Sequence, residues 1–157
     1  KAVLDVFNRT HEETDYLLTY SDENRFTASQ EADFLQRKTD SANNVEIIAV
    51  VDDVVAGTAG IDALGMRDKI KHRAVFGIAI TKEFWGLGIG KYLMEACIEC
   101  AREAGYLQLE LEVVAENERA VEMYRRAGFI EYGRNPKGFR LRTGEYQELI
   151  DMRLELK

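Results

Sequence analysis

The feature that most constrains the fold is an apolar run that leads into alternating glycines. Residues 75–80 (VFGIAI) are typical of a buried strand, and every second residue over 86–90 is glycine before a helical pattern begins at Lys91. Glycines allow a ligand to approach the backbone closely, and the first N–H groups of a helix have no partner within it. Because the helix dipole is positive at the same end, the segment predicts a site for a phosphate or pyrophosphate group.

The spacing excludes two common phosphate loops. A P-loop requires Gly-x-x-x-x-Gly-Lys-Ser/Thr, but Trp85 stands five residues before Gly90 and Tyr92 replaces the metal-binding hydroxyl. The dinucleotide fingerprint Gly-x-Gly-x-x-Gly also fails, because Gly86 and Gly88 are followed by Lys91 at the last glycine position.

A second pattern follows about 20 residues later. Residues 109–114 (LELEVV) read as a strand, Asn117 can cap the helix that follows, and Tyr124 lies on that helix. Gly128 is suited to end the helix in the left-handed conformation, and Phe129 returns to the core.

Together these segments resemble the two signatures of the GNAT N-acetyltransferase superfamily. Its coenzyme A loop is written Arg/Gln-x-x-Gly-x-Gly/Ala; Gly88 and Gly90 match the glycines, whereas Trp85 departs from the Arg/Gln position. The resemblance extends over roughly residues 45 to 156. It implies an α+β GNAT acyltransferase fold, with a mixed, mostly antiparallel central sheet flanked by helices on both faces, as a single domain over 1–157.

The residue patterns predict an order of elements that suits this fold. We expect helices at 1–8, about 30–38, 90–104 and 118–127, and strands at 45–51, 54–61, 72–80, 108–114, 129–134 and 145–155. The first two strands form a hairpin turned at Asp52-Asp53. The family usually begins with a strand, whereas residues 1–8 already read as a helix, so an N-terminal strand is expected to be missing.

The resemblance also implies how a cofactor would be bound. The strand before the glycine loop carries a bulge and splays from its neighbour, so that its backbone pairs with the pantetheine of acetyl-CoA. This role falls on Ile78, Ala79 and Ile80, and the amides of the loop hold the pyrophosphate. The loop residues are Gly86, Leu87, Gly88, Ile89, Gly90 and Lys91. Asn117 contacts the pantetheine or pyrophosphate arm.

The same resemblance implies direct transfer of the acetyl group. A neutral amine attacks the thioester, a backbone donor near Ile80 holds the oxyanion, and Tyr124 protonates the leaving thiolate. A base must first deprotonate the ammonium. Glu112 is our candidate, because ribosomal-protein alanine N-acetyltransferases carry a catalytic Glu in a similar context. Glu110 lies on the same strand face, and both carboxylates could simply be solvated; a water chain is the other alternative.

Composition narrows the classes of partner. The net charge of −7 argues against nucleic-acid binding, and no apolar run approaches a membrane span. Cys97 and Cys100 fall on the apolar stripe of a helix, so we interpret them as reduced core residues of a cytoplasmic protein. His11 and His72 have no neighbouring ligand pattern, so we predict no metal site.

The sequence therefore predicts an N-acetyltransferase that moves the acetyl group of acetyl-CoA to a primary amine of a small molecule or peptide. The alternative is a catalytically silent acyl-CoA-binding module with the same fold. Candidate acceptor-binding residues form two clusters, between which the sequence does not choose: residues 13–16 (ETDY) after the first helix, and Arg134, Lys137, Arg140 and Arg142 in the last hairpin. A homodimer is compatible with the sequence.

Overall fold

The computed structural model describes residues 1–23 and 26–157 as six strands and four α-helices. In chain order they are α1 (Ala2–Glu13), α2 (Ala28–Thr39), β1 (Val45–Val51), β2 (Val54–Ala63), β3 (Arg73–Ile80), α3 (Ile89–Glu103), β4 (Gln108–Val114), α4 (Glu118–Arg126), β5 (Ile130–Arg140) and β6 (Tyr146–Glu155). Every predicted element is present. Helix α1 is longer than predicted, so Glu13 is its last residue and does not follow it.

The six strands form one mixed sheet in the order β1-β2-β3-β4-β6-β5. All neighbours are antiparallel except β3 and β4, which run parallel and are joined by α3. Parallel neighbours require such a crossover, because a tight hairpin can join only antiparallel strands. The predicted α+β fold with a mostly antiparallel sheet is therefore confirmed.

Helices cover both faces of this sheet. Alternate residues of a strand face opposite sides, and on β2 the set Ala59 and Ile61 packs into the main core with α3. On the opposite side, Asp62 forms an ion pair of 2.6 Å with Lys38 of α2. The main core also contains Phe76, Leu93, Cys97, Leu109, Leu111, Tyr124, Phe129 and Met152.

A gap opens between β3 and β4. Their pairing stops at Val75↔Glu110 after three residue pairs, while β3 stays paired with β2 as far as Ile80. The register of β3 with β2 is unbroken, so the bulge expected in β3 is absent. The gap instead results from the divergence of β4, which pairs with β6 along its whole length.

The last hairpin is longer than the sequence indicated. The sequence pattern predicts a strand that ends at Arg134, and the next residues include Pro136 and Gly138, which both disfavour a strand interior. Strand β5 continues to Arg140, with a register shift between Asn135 and Phe139 that accommodates the intervening residues. Strand β5 is also at the edge of the sheet, where a proline leaves no neighbouring strand unpaired.

Candidate active site

The gap exposes backbone groups of β3. The bonds Thr81 N–H to Ala56 O and Leu64 N–H to Arg73 O, both 3.0 Å, fix which residues of β3 bond to β2. Because bonding alternates along an antiparallel pair, Ala79 directs its N–H and C=O toward β2. Ile78 and Ile80 direct theirs into the gap, beyond the last β3–β4 pair. Of the three predicted strand residues, only these two therefore offer backbone groups there.

The glycine loop continues this line of free groups. Among the described residues, none of the six backbone N–H groups from Gly86 to Lys91 has an intramolecular acceptor. Gly86 and Gly88 have φ values of +83° and +80°, a backbone conformation that residues with a Cβ rarely adopt. Gly88 is the N-cap of α3, so the free donors converge at the positive end of that helix.

Gly90 differs from the other two glycines. A Cβ at this position would lie 2.9 Å from Met123 Sδ and 3.3 Å from Ile80 Cδ1. The small residue therefore allows α3, α4 and the end of β3 to pack closely, whatever its amide binds. The sequence pattern alone could not separate this packing requirement from a ligand requirement.

Trp85, the departure from the family pattern, is anchored to the strand. Its indole Nε1–H donates to Ile80 O at 2.7 Å. That carbonyl is thereby satisfied, so that, of the backbone groups of Ile78 and Ile80, the Ile80 N–H and both groups of Ile78 remain without a partner among the described residues.

Asn117 and Tyr124 are placed by α4. The Asn117 side chain caps the helix by accepting from the Ala120 N–H at 3.4 Å. The Tyr124 ring packs edge-on against Phe76 and beside Phe129, with centroid distances of 6.2 and 5.8 Å. Burial raises the pKa of Tyr124 well above its ordinary value, so the phenol stays protonated at neutral pH. The Tyr124 hydroxyl has no hydrogen-bond partner in the part of the chain that the structure describes, and its oxygen is not among the fully buried atoms, so it is accessible to solvent or a ligand.

The two candidate carboxylates of β4 have different surroundings. Glu110 is 8% exposed and forms a bidentate pair with Arg73, including an Nη2–Oε2 distance of 2.8 Å. Gln108 also donates to it at 2.8 Å. Glu112 is exposed and lies two residues beyond the last β3–β4 pair, where the gap is open. Glu112 is therefore the carboxylate available to a ligand.

The sheet face that carries Glu112 is open above β3. A Cβ on Gly77 would have no neighbour within 4 Å, and Gly77 shares this face with Val75 and Ala79. By contrast, its cross-strand partner Gly60 lies under the Glu46 carboxylate. The space above Gly77, beside the gap, is thus free, whereas the space above Gly60 is occupied.

A cavity of about 150 Å³ lies between the segment after α1 and the β5–β6 hairpin. It is lined by Thr14, Asp15, Leu17, Leu18, Thr19, Tyr20, Gly138, Phe139, Arg140 and Leu141. The structure therefore brings together part of each predicted acceptor cluster. The sequence did not identify Leu17, Leu18 and Phe139 as lining residues, because isolated apolar residues carry no motif and their position beside the cavity depends on the folded chain.

The basic residues of the hairpin are not equivalent. Arg134 is paired with Glu131 and Glu148. Arg142 forms a bidentate pair with Asp22 and lies 4.1 Å over the Tyr20 ring, which ties the two walls of the cavity together. Lys137 and Arg140 have no ion pair among the described residues, although both lie over the Tyr146 ring.

Gln147 is a polar residue that the sequence reading did not identify. It is 7% exposed, its Oε1 has no hydrogen-bond partner among the described residues, and it pairs across the hairpin with Phe139. Directly opposite residues share a sheet face, so the carboxamide lies beside a residue that lines the cavity. A buried carboxamide without a partner is costly in free energy, which makes it a candidate for ligand contact.

The remaining predictions concern metal binding, membrane spans and the two cysteines. Within residues 1–23 and 26–157, no cluster of three metal-binding side chains occurs, and no helix has the length and apolar character needed to cross a membrane. Cys97 and Cys100 are both free thiols. Burial of Cys97 raises its pKa to about 12, which suits the predicted core role.

The family model "Acetyltransferase (GNAT) family" matches residues 6–129, which contain the strand gap, the glycine loop and α4. The chain belongs to this family. It is accordingly an acetyl-CoA-dependent N-acetyltransferase, as the resemblance predicted.

Sequence relatives of this family member differ in their named acceptors. The chain is 31% identical to the L-amino acid N-acetyltransferase AaaT of Escherichia coli, over 74% of this chain and 72% of that protein. It is 30% identical to the spermidine N(1)-acetyltransferase of Vibrio cholerae, over 70% and 64% respectively. Its match to mycothiol acetyltransferase of Propionibacterium freudenreichii spans only 18% of that protein.

Solved structures agree on the fold. A GNAT-family acetyltransferase from Streptococcus pneumoniae superposes with a TM-score of 0.91 at 29% identity, covering 98% of this chain and 93% of that one. The protein yncA of Salmonella typhimurium, solved with its cofactor acetyl-CoA, superposes with a TM-score of 0.87 at 16% identity, covering 99% and 87%.

Proposed function

We propose that this N-acetyltransferase transfers the acetyl group directly to a primary amine of a small molecule, without a covalent acetyl-enzyme. The observation that carries the proposal is the continuous line of free backbone groups. It runs from Ile78 and Ile80 in the gap to the six N–H donors of the glycine loop. An extended pantetheine could pair with the first set while its pyrophosphate binds the second.

The reacting carbonyl would lie at the open end of the gap. The amine nitrogen forms a bond to the thioester carbon, and the C–S bond then breaks. We assign stabilisation of the oxyanion to the Ile80 N–H, which faces the gap without a strand partner. Tyr124 would donate its proton to the departing sulfur, since its hydroxyl has no competing partner among the described residues.

The proton of the incoming ammonium needs an acceptor within reach of the amine. We assign this role to Glu112, because it is exposed beside the gap and because Glu110 is already engaged by Arg73. A water molecule between Glu112 and the amine would serve the same purpose.

The size of the cavity limits the acceptor. A volume of about 150 Å³ suits a ligand of roughly benzene size, or one side chain of a larger one. The unpaired guanidinium of Arg140 could bind a carboxylate of the acceptor, and Asp15 could bind a second amine. The named acceptors of the two relatives, an amino acid and a polyamine, carry one or the other of these groups.

The second candidate is the catalytically silent acyl-CoA-binding module. It would need the gap and the glycine loop but not a phenol beside the reacting sulfur. The protonated phenol of Tyr124 favours the enzyme, because its hydroxyl has no partner among the described residues and is free to donate its proton.

The decisive experiment is a screen of amino acids, polyamines and simple amines with acetyl-CoA, in which the released thiol is measured. We expect turnover with at least one small primary amine, and formation of the N-acetyl product by mass spectrometry. Binding of acetyl-CoA without turnover on any amine or peptide would instead favour the silent module.

A further inference from the structure

One guanidinium beside the glycine loop has no carboxylate partner. Arg119 is the second residue of α4, and its Nη2 lies 3.6 Å from the point that a Cβ on Gly86 would occupy. Arg125 and Arg126 of the same helix both pair with glutamates. Arg119 forms no ion pair among the described residues, although the chain has a net charge of −7. An arginine left unpaired in so acidic a protein is available to a ligand anion.

Trp85 holds this guanidinium in place. The Cζ of Arg119 lies 5.4 Å from the centroid of the Trp85 ring, and the Nζ of Lys82 lies 5.8 Å from it. The indole is itself fixed by its bond to Ile80 O. A cation held over a ring face needs no hydrogen-bond acceptor from it, so the N–H donors of Arg119 stay free to bind an anion.

The charge and the backbone donors therefore meet at one place. Six unpaired N–H groups lie in the loop from Gly86 to Lys91, and Arg119 adds a fixed cation at its first glycine. We propose that Arg119, positioned by Trp85, binds a pyrophosphate oxygen of acetyl-CoA. The Trp85–Arg119 pair thereby replaces the Arg or Gln side chain that the family pattern places at position 85. The inference rests on the proposed cofactor site, but it requires no turnover for its test.

The first experiment measures the affinity for coenzyme A by calorimetry. Arg119→Ala should weaken binding by about 10- to 100-fold, the usual effect of losing a charge-assisted hydrogen bond, and Arg119→Lys should weaken it less. Dephospho-coenzyme A should show the same ratio, since it retains the pyrophosphate, and pantetheine should show none. Arg126→Ala, on the same helix but paired with Glu122, is the matched control and should leave affinity unchanged.

Three results would overturn the assignment. Unchanged affinity in Arg119→Ala would leave Arg119 without a role in binding. An equal loss for pantetheine would indicate a distorted site, and a loss for coenzyme A that vanishes with dephospho-coenzyme A would move the contact to the 3′-phosphate. Failure of the wild-type chain to bind coenzyme A at all would overturn the proposed function rather than this residue alone.

The second experiment tests whether Trp85 acts through Arg119. Trp85→Leu should weaken coenzyme A binding in the wild-type background but have little effect in the Arg119→Ala background, because nothing would remain to be positioned. Trp85→Phe should restore part of the affinity, since it retains an aromatic face. Equal losses from Trp85→Leu in both backgrounds would show that Trp85 contacts the cofactor, or the fold, independently of Arg119.

Discussion

At the scale of single residues, the proposed chemistry depends on the Tyr124 phenol, whose hydroxyl has no partner among the described residues. Tyr124→Phe removes one hydroxyl and little volume, and its ring contacts with Phe76 and Phe129 should persist. We expect kcat to fall by about 10²-fold or more, within the usual range for a general acid, while the affinity for acetyl-CoA stays nearly unchanged. Steady-state kinetics with the best acceptor from the amine screen would measure this. Unchanged kcat would mean that water protonates the thiolate.

Glu112 is tested by the pH dependence of the rate. If Glu112 accepts the proton of the ammonium, Glu112→Gln should depress the rate most at neutral pH and less at alkaline pH, where the amine loses its proton unaided. The profile should therefore shift to higher pH. Asp151→Asn is the matched control. Asp151 lies opposite Glu112 on β6, and its substitution removes the same charge from the same region. The same shift in both variants would indicate a general charge effect and not a base.

A substitution at Gly77 should change function without lowering stability. Its Cβ position is empty and its φ is not in the left-handed region, so Gly77→Val should fit the strand and leave the thermal midpoint equal or higher. We expect the added side chain to occupy the space above the gap and to raise KM for the acceptor. Gly60→Val, on the neighbouring strand, should instead lower the midpoint because it meets the Glu46 carboxylate. Unaltered kinetics in Gly77→Val would place the acceptor elsewhere.

At the scale of elements, the sequence predicted what depends on local rules. The turn at Asp52-Asp53 was predictable because both residues tolerate positive φ, and the structure gives them φ values of +47° and +63°. Around α4, the cap was predictable from the side-chain oxygen of Asn117, and the end of the helix from the positive φ that Gly128 can adopt. Three features could not be predicted, because each depends on contacts with a neighbouring element. They are the absence of a bulge in β3, the extension of β5 past Pro136 and the packing role of Gly90.

The contact of α2 with the sheet contributes to stability in a way that depends on pH. Burial of Glu46 raises the pKa of that carboxyl, despite the neighbouring Lys38. The folded state therefore binds this proton more tightly than the unfolded chain. The contribution of Glu46 favours folding at low pH and is lost as the pH rises through the raised pKa.

Removing the charge of Glu46 should therefore stabilise the folded state most at neutral pH, where this carboxyl is ionised. Lys38 keeps its 2.6 Å ion pair with Asp62 when Glu46 is replaced. We expect Glu46→Gln to raise the free energy of unfolding at pH 7 relative to the wild type, with a smaller difference near pH 4. Urea unfolding at the two pH values would measure it. A larger gain at pH 4 than at pH 7 would contradict the direction of the pKa shift.

At the scale of the whole molecule, two long-range connections bring the parts of the site together. The parallel β3–β4 pair places the glycine loop beside α4, and the Arg142–Asp22 pair joins the segment after α1 to the last hairpin. No local pattern in the sequence predicts either contact, because each depends on pairing between distant segments. The motifs therefore pointed to the cofactor, whereas the cavity that we propose for the acceptor became visible only in the folded chain.

Because the site is assembled by folding, acetyl-CoA should bind the folded state alone and stabilise it. At a concentration of about 100 times Kd the expected gain is about 2.7 kcal/mol, which corresponds to a rise of roughly 5–10 °C in thermal midpoint for a domain of this size. Gly88→Glu should abolish the rise by placing a carboxylate beside the free N–H donors. Gly105→Glu is the matched control, since Gly105 has the same positive φ and lies beyond the other end of α3. Both variants should lose stability through backbone strain, but only Gly105→Glu should regain it with acetyl-CoA. A full ligand-induced rise in Gly88→Glu would show that the pyrophosphate is not bound at this loop.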